Sequence, residues 1–310
     1  MYRVLITARS YGTADALADE VLVGAGCEVV RVAPDALGEE IGNADAVIAG
    51  LEPYTSTLLE SATRLKVISR YGVGYDAVDL TAATARGIVV TNTPGANGES
   101  VADLAIALMM SAARNIPQMH ASMAGHCQKR PSGVELWHKT VGVLGTGRIG
   151  QAVARRCSGF GMRVLAHDAY PDRAFADTTG ATYVDFDTLI SESDFITIHL
   201  PLNDETRNIV GAAAFQAMKP DTILVNTARG GIIDESALFE ALQSRRIRGA
   251  ALDVTAHEPA DRSPLLQLDN CILTPHAGAA TVEASSRMSL MAAINVVDVL
   301  TTGTSACKVA

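Results

Sequence analysis

Residues 140–150 read TVGVLGTGRIG. An apolar, β-branched run leads into Gly145-Thr146-Gly147-Arg148-Ile149-Gly150, and an Ala/Val-rich segment of helical composition follows over 151–160. Strand, glycine turn and helix start in this order make a dinucleotide-binding turn. Gly145 permits the tight turn and Gly147 lets the backbone approach a pyrophosphate. Gly150 lets helix and strand pack closely, with the helix N-terminus facing the negative charge. The next β-like run, 163–167, ends at Asp168. A carboxylate there accepts hydrogen bonds from a ribose diol and repels a 2′-phosphate, which selects NAD over NADP.

Outward from this motif the chain repeats one pattern. Short apolar runs stand at 4–7, 28–32, 46–49, 66–69 and 88–91, then at 140–144, 163–167, 195–199, 222–226, 250–254 and 271–273. Helix-length segments separate them, which predicts βαβ units and parallel sheets. Two series predict an α/β protein of two doubly wound parallel-sheet domains. The segment 100–113 (SVADLAIALMMSAA) is helical in composition and apolar nearly all round, so it is expected to be buried on more than one side. That suits a helix between domains and a subunit interface. A long helix is expected over 281–300, and the small, polar stretch 301–310 is expected to be loose.

Composition narrows the function. The 310 residues are 48% hydrophobic and 19% charged, a globular balance, and the formal net charge is -9. An acidic chain without Lys/Arg clusters is a poor candidate for nucleic acid or anionic membrane surfaces, and neither is expected as a partner. The five cysteines, Cys27, Cys127, Cys157, Cys271 and Cys307, are odd in number and form no C-x-x-C pair. No disulfide framework and no metal site is expected from them, and a reducing cytosol fits best. The start of the chain, MYRVLIT, reads as a strand with no apolar leader behind a basic start, so a soluble, cytoplasmic protein is expected.

Three clusters follow the dinucleotide motif, each just after an apolar run. Asn226-Thr227-Ala228-Arg229-Gly230-Gly231 puts an arginine on a glycine-rich turn, where a guanidinium can grip a carboxylate and polarise an adjacent carbonyl. Residues 253–259 (DVTAHEP) carry Glu258 before a proline. Residues 274–278 (TPHAG) place His276 in a small-residue turn. Oxidation of a 2-hydroxy acid needs a base for the hydroxyl proton, a cation for the carboxylate and a hydride acceptor. His276 suits the first task, with Glu258 fixing its tautomer, and Arg229 suits the second. His199 ends a strand at the border of the cofactor site.

The order of these motifs resembles the D-isomer-specific 2-hydroxyacid dehydrogenase family, with its D-3-phosphoglycerate dehydrogenase branch nearest. The likeness runs from about Lys66 to Leu300 and includes SRYGVGYDAVDL (69–80), GIVVTNTPG (87–95), VGVLGTGRIG (141–150), HLPLNDETRNIV (199–210), NTARGGIIDE (226–235), GAALDV (249–254) and LTPHAGAAT (273–281). The resemblance implies Arg229, Glu258 and His276 as the catalytic triad. It implies Arg148, Ile149 and Asp168 at the pyrophosphate and adenine ribose of NAD, and Thr227, Ala228 and Asp253 toward its nicotinamide. Pro201 and Thr206, in the HLPLNDET stretch, are also assigned to the cofactor. The backbone of Gly72-Val73-Gly74 would donate to the substrate carboxylate, and Arg70 would reach a second anionic group of the substrate. The same resemblance implies a Rossmann NAD-binding domain at 99–284, a smaller flavodoxin-like substrate domain at 1–98 and 285–310, and a homodimer. Val101-Ala102-Asp103 stands where many relatives read VAE. The chain ends soon after Leu300, without the extra regulatory domain of long phosphoglycerate dehydrogenases, so serine feedback through such a domain is not expected.

The expected substrate is therefore a small D-2-hydroxy acid or 2-keto acid, D-3-phosphoglycerate-like. The enzymatic alternatives are a glyoxylate/hydroxypyruvate reductase or a dehydrogenase of another dianionic acid, such as a sulfonated one. A formate dehydrogenase resembles the family too but needs no acid/base pair. The non-enzymatic alternative is a corepressor-like, NAD-sensing scaffold.

Overall fold

The apolar runs become strands within a residue or two of the expected bounds. β1 (Tyr2–Ile6), β2 (Cys27–Arg31), β3 (Ala46–Ala49), β4 (Val67–Arg70) and β5 (Val89–Thr91) form a parallel sheet in the order β2-β1-β3-β4-β5. That is the flavodoxin-like order. The computed structural model describes residues 1–310, and in it Met1–Ser100 and Ala279–Ala310 form one unit while Val101–Gly278 form another. The C-terminal return to the first unit thus begins at Ala279, earlier than the 285 expected from sequence.

Alternation along each strand sends side chains to opposite faces of this sheet. Val4, Ile6, Ala46, Ile48 and Val67 pack on one side with Met288, Ala292, Val296 and Val299 of the helix Val282–Thr302. Leu5, Val47, Ala49, Ile68 and Val90 pack on the other with Leu37, Ile41 and Leu59. Both faces are covered, which explains why the strands read as near-continuous apolar runs. Each fully buried aliphatic side chain contributes about 1.5–3 kcal/mol.

The stretch expected to be loose is ordered by pairing. Val90 N donates to Ala310 O and Val309 N to Val90 O, both at 2.8 Å, and Thr91 forms an antiparallel bridge with Lys308. β5 is an edge strand, and an edge has unpaired N–H and C=O groups that another segment can satisfy. Polar composition predicts low burial of side chains; it says nothing about backbone pairing.

The second unit carries β6 (Thr140–Leu144), β7 (Arg163–His167), β8 (Thr182–Tyr183), β9 (Phe195–Ile198), β10 (Ile223–Asn226), β11 (Gly249–Leu252) and β12 (Cys271–Leu273). All are parallel, in the order β12-β11-β10-β9-β6-β7-β8. Outward from β6, this is the Rossmann arrangement with one added strand, and the order reverses between β6 and β9. β8 has only two residues and was not read from sequence. Val141, Val143, Ile223 and Val225 fill one face, and Leu144, Ile196, Ile198 and Leu224 the other.

The helix Gly98–Ala113 buries Ala102, Ala105, Ile106, Leu108, Met109 and Ala113 in the second unit's core. It is not covered all round: Asp103, Ala107 and Met110 are exposed, with Asp103 paired to Arg156 at 2.7 Å. The helix Ile116–Ala124 that follows has no buried residue.

Candidate active site

The glycine turn lies at the carboxyl end of β6, at the reversal in strand order where doubly wound sheets bind ligands. Gly145 has φ +91°, and a Cβ there would lie 2.7 Å from the His199 carbonyl group. A Cβ on Gly150 would lie within 1.9 Å of Gly145 O, so helix and turn meet at backbone distance. Gly147 faces open space and caps the helix Arg148–Gly159 with no side-chain hydrogen bond. The first N–H groups of that helix are therefore available to an anion.

Asp168 follows β7 and is tied to the same turn. Its Oδ2 accepts from Thr146 N at 2.6 Å and Thr146 Oγ1 at 3.1 Å, while Oδ1 accepts from Tyr170 N at 2.8 Å. The carboxylate thus braces the glycine turn, a task invisible in the local pattern. Pro201 and Thr206 sit beyond β9 in one exposed turn, where Thr206 Oγ1 donates to Pro201 O at 2.6 Å.

The NTARGG stretch leaves β10 through a turn shaped by Asn226. This fully buried residue donates from Nδ2 to Arg229 O at 2.8 Å and accepts at Oδ1 from Ala228 N at 2.9 Å. Asn226 opens this cluster in the sequence with no role of its own, although an Asx turn after a strand is a readable signal. Gly230 is required because a Cβ would overlap the Thr255 carbonyl group. Arg229 is half-buried, and its Nη1 donates to Ala228 O at 2.6 Å. Thr227 Oγ1 is buried with no hydrogen-bond partner.

His276 and Glu258 meet: Nδ1 lies 2.8 Å from Oε2. His276 has φ +52°, an uncommon conformation for a side-chain-bearing residue. Asp253 holds it there. Its Oδ1 accepts from Thr274 Oγ1 at 2.6 Å and Ala277 N at 2.8 Å, Oδ2 accepts from Gly278 N at 2.8 Å, and its carbonyl accepts from His276 N at 2.9 Å. The Asp253 carboxylate is 2% exposed. These hydrogen bonds tie it to the histidine turn, while the resemblance points it toward the nicotinamide. Burial alone would raise the Glu258 pKa. The hydrogen bond and charge of His276, the Thr255 N–H and the Arg229 guanidinium outweigh it and bring the carboxyl below its ordinary value.

The other candidates are quiet. Burial pushes the His199 imidazole down to about 3, so it is neutral, with Nε2 2.8 Å from Thr197 Oγ1. Burial raises the thiols of Cys157 and Cys271 to about 12, which removes them as nucleophiles.

The glycine turn and its surroundings fit a dinucleotide on three observations: the open Gly147, the uncapped helix start, and the orphaned buried polar atoms Thr227 Oγ1 and His199 Nδ1. Residues 106–278 match the family described as D-isomer specific 2-hydroxyacid dehydrogenase, NAD binding domain.

This chain belongs to the D-isomer-specific 2-hydroxyacid dehydrogenase family.

Its cofactor is NAD. It is 43% identical over 304 residues to a D-3-phosphoglycerate dehydrogenase of Methanocaldococcus jannaschii, covering 97% of this chain and 58% of that protein. It is 42% identical over 272 residues to a glyoxylate reductase of Thermococcus litoralis, covering 84% and 81%. The fold matches the crystal structure of the TT0316 protein of Thermus thermophilus with a TM-score of 0.90 and 37% identity, over 99% of this chain and 100% of that one. The chain spans about half the length of the curated phosphoglycerate dehydrogenases it matches.

In the first unit, Gly72, Val73 and Gly74 follow β4 at the carboxyl edge of its sheet. Arg70 ends β4 and is 6% exposed. Its Nη1 donates to Ala49 O at 3.2 Å and Tyr71 O at 2.5 Å, and a Cβ on Gly72 would lie 3.6–3.9 Å from the guanidinium. The arginine thus lies against the glycine turn instead of standing out from it. At the same edge the Glu52 carboxylate accepts from Thr7 Oγ1, from Gly50 N at 3.0 Å and from Tyr54 OH at 2.7 Å.

Proposed function

We propose that this protein is an NAD-dependent oxidoreductase that interconverts a small 2-keto acid and its D-2-hydroxy acid. The observation that carries the reading is the 2.8 Å contact between His276 Nδ1 and Glu258 Oε2, beside Arg229 and in the same unit as the dinucleotide turn. An NAD-sensing scaffold does not require such a pair.

When bound, NADH supplies the hydride to C2. The helix start at Arg148 and Ile149 and the backbone of Gly145, Gly147 and Gly150 would hold its pyrophosphate. Asp168 would take the ribose diol, and Pro201, Thr206, Thr227 and Ala228 would line the rest of the cofactor. Glu258 occupies Nδ1 of His276, so Nδ1 carries its proton and Nε2 is left for substrate. Protonated His276 gives its Nε2 proton to the C2 oxygen in reduction and takes it back in oxidation. Arg229 holds the carboxylate and polarises the C2 carbonyl, where negative charge grows in the transition state. Gly72, Val73 and Gly74 would donate to the carboxylate through their backbone. Asp253 acts as the brace of the histidine turn.

The substrate we favour has no second anionic group, as glyoxylate or hydroxypyruvate. Arg70 was expected to grip a phosphate or sulfonate, but it is buried and spends Nη1 on two carbonyls, and Glu52 adds negative charge at the same sheet edge. The test is a steady-state comparison of glyoxylate, hydroxypyruvate and phosphohydroxypyruvate with NADH. Higher kcat/KM for the unphosphorylated acids supports this preference, and a clear preference for phosphohydroxypyruvate would return Arg70 to the anion-binding role.

A homodimer is proposed from the exposed apolar residues Met110, Ile116, Met123 and Trp137, which gather within one short part of the chain. Light scattering during gel filtration checks it: a monomer at micromolar concentration contradicts the proposal.

A further inference from the structure

The turn at Gly72-Val73-Gly74 takes its aim from buried groups far away in the chain. Gly72 donates its N–H to Thr93 Oγ1 at 3.0 Å, and its carbonyl accepts from Thr93 N at 3.0 Å. The next carbonyl, Val73 O, accepts from Asn92 Nδ2 at 2.8 Å. In a trans peptide the C=O and N–H point in opposite directions. Drawing the Gly72 and Val73 carbonyls toward Thr93 and Asn92 therefore turns the N–H groups of Val73 and Gly74 the other way. Neither N–H has a backbone acceptor outside the regular elements. Two successive N–H groups facing one side make a small anion-binding concavity.

Asn92 is itself clamped. Its N–H donates to Cys307 O at 3.2 Å, and its carbonyl accepts from Asn295 Nδ2 at 2.9 Å. Asn295 Oδ1 accepts from Ser305 Oγ at 2.8 Å. Asn92, Asn295 and Ser305 are all buried. A buried amide with both ends paired has one orientation, so each link fixes the next. Val73 lies on an exposed turn, where water could satisfy its carbonyl without a side chain being buried to reach it. The chain of amides is therefore more than the satisfaction of one acceptor.

We infer that Asn92, held by Asn295 of the C-terminal helix and Ser305 of the tail, is a positioning residue that directs the Val73 and Gly74 N–H groups at the substrate carboxylate. The inference rests on the assignment of this turn to the carboxylate made above. It gives the paired tail a function: the segment after residue 302 sets the geometry of a binding turn.

Asn92→Leu removes the donor to Val73 O at similar volume. In this variant KM for glyoxylate and the inhibition constant of oxamate are expected to rise together by about 10-fold, the scale of one hydrogen bond to a charged group. The change in kcat should be smaller, and the NADH dissociation constant, read by nicotinamide fluorescence, should not change. Ser305→Ala and Asn295→Asp shift the same two constants in the same direction, and they carry the test if Asn92→Leu does not fold. Folded variants with a lowered Tm but unchanged KM and oxamate inhibition would overturn the inference. A wild type that reduces no 2-keto acid would overturn the dehydrogenase reading itself, and this inference with it.

Discussion

His276 Nδ1 lies 2.8 Å from Glu258 Oε2, and the histidine backbone stands in the left-handed region at φ +52°. The pair is assembled by two turns, after β11 and after β12, that Asp253 ties together. His276→Asn removes the proton donor and leaves the turn. The expected fall in kcat is roughly 10²–10⁴-fold, the usual scale for a general acid/base. NADH affinity should be unchanged, since the dinucleotide turn is built from other residues. A near-normal kcat would take the role away from His276.

The pH profile follows from the depressed Glu258 pKa. A carboxyl whose folded pKa is below its unfolded one adds stability that is present above the unfolded value and lost as pH falls through the folded value. Keto-acid reduction should therefore hold down to the ordinary glutamate range and fail only below it. In Glu258→Gln the carboxyl that titrates at acid pH is gone. The acid limb that belongs to Glu258 should then be lost, with a lower rate across the whole range, and rate profiles of the two proteins between pH 3 and 9 would show it. Superimposable profiles would deny the coupling.

Asp253→Asn tests the brace. An amide NH₂ must face one of the donors that the carboxylate now accepts from, Ala277 N, Gly278 N or Thr274 Oγ1. Leaving one buried donor unpaired costs about 1–3 kcal/mol. We expect a lower Tm together with a lower kcat, because His276 loses its support. A variant that keeps kcat while losing stability would separate the turn from the chemistry.

Asp168 should set cofactor choice. Asp168→Ser removes the charge that repels a 2′-phosphate and one ribose acceptor. NADH should bind worse and NADPH relatively better, by titration of each. Because Asp168 also holds Thr146 N, some loss of affinity for both cofactors is expected. An unchanged NADH to NADPH ratio would leave Asp168 with the bracing role alone.

Much of this was legible in the sequence because the signals are local. Val141, Val143 and Gly145 announce strand and turn within a few residues, and the same holds for the runs that became β9, β10 and β12. What escaped was non-local or too short. β8, at Thr182 and Tyr183, has no periodicity to read. The tail's pairing with Val90 is a backbone event that composition does not encode. Asp253 reaches 24 and 25 residues along the chain for its partners Ala277 and Gly278, and no spacing rule points there. The strand-end position and glycine neighbours of Arg70 were visible in the sequence, while the carbonyls of Ala49 and Tyr71 that its Nη1 donates to were not.

Hydride goes to C2 of the keto acid, and His276 supplies the proton to its oxygen. Hydroxypyruvate reduced with NADH deuterated at both C4 positions, and its product analysed by mass spectrometry and chiral chromatography, tests this most directly. One deuterium is expected at C2 of a D-configured hydroxy acid, formed by the wild type and strongly slowed in His276→Asn. An L-configured product, a product without deuterium at C2, or no keto-acid-dependent oxidation of NADH would contradict it.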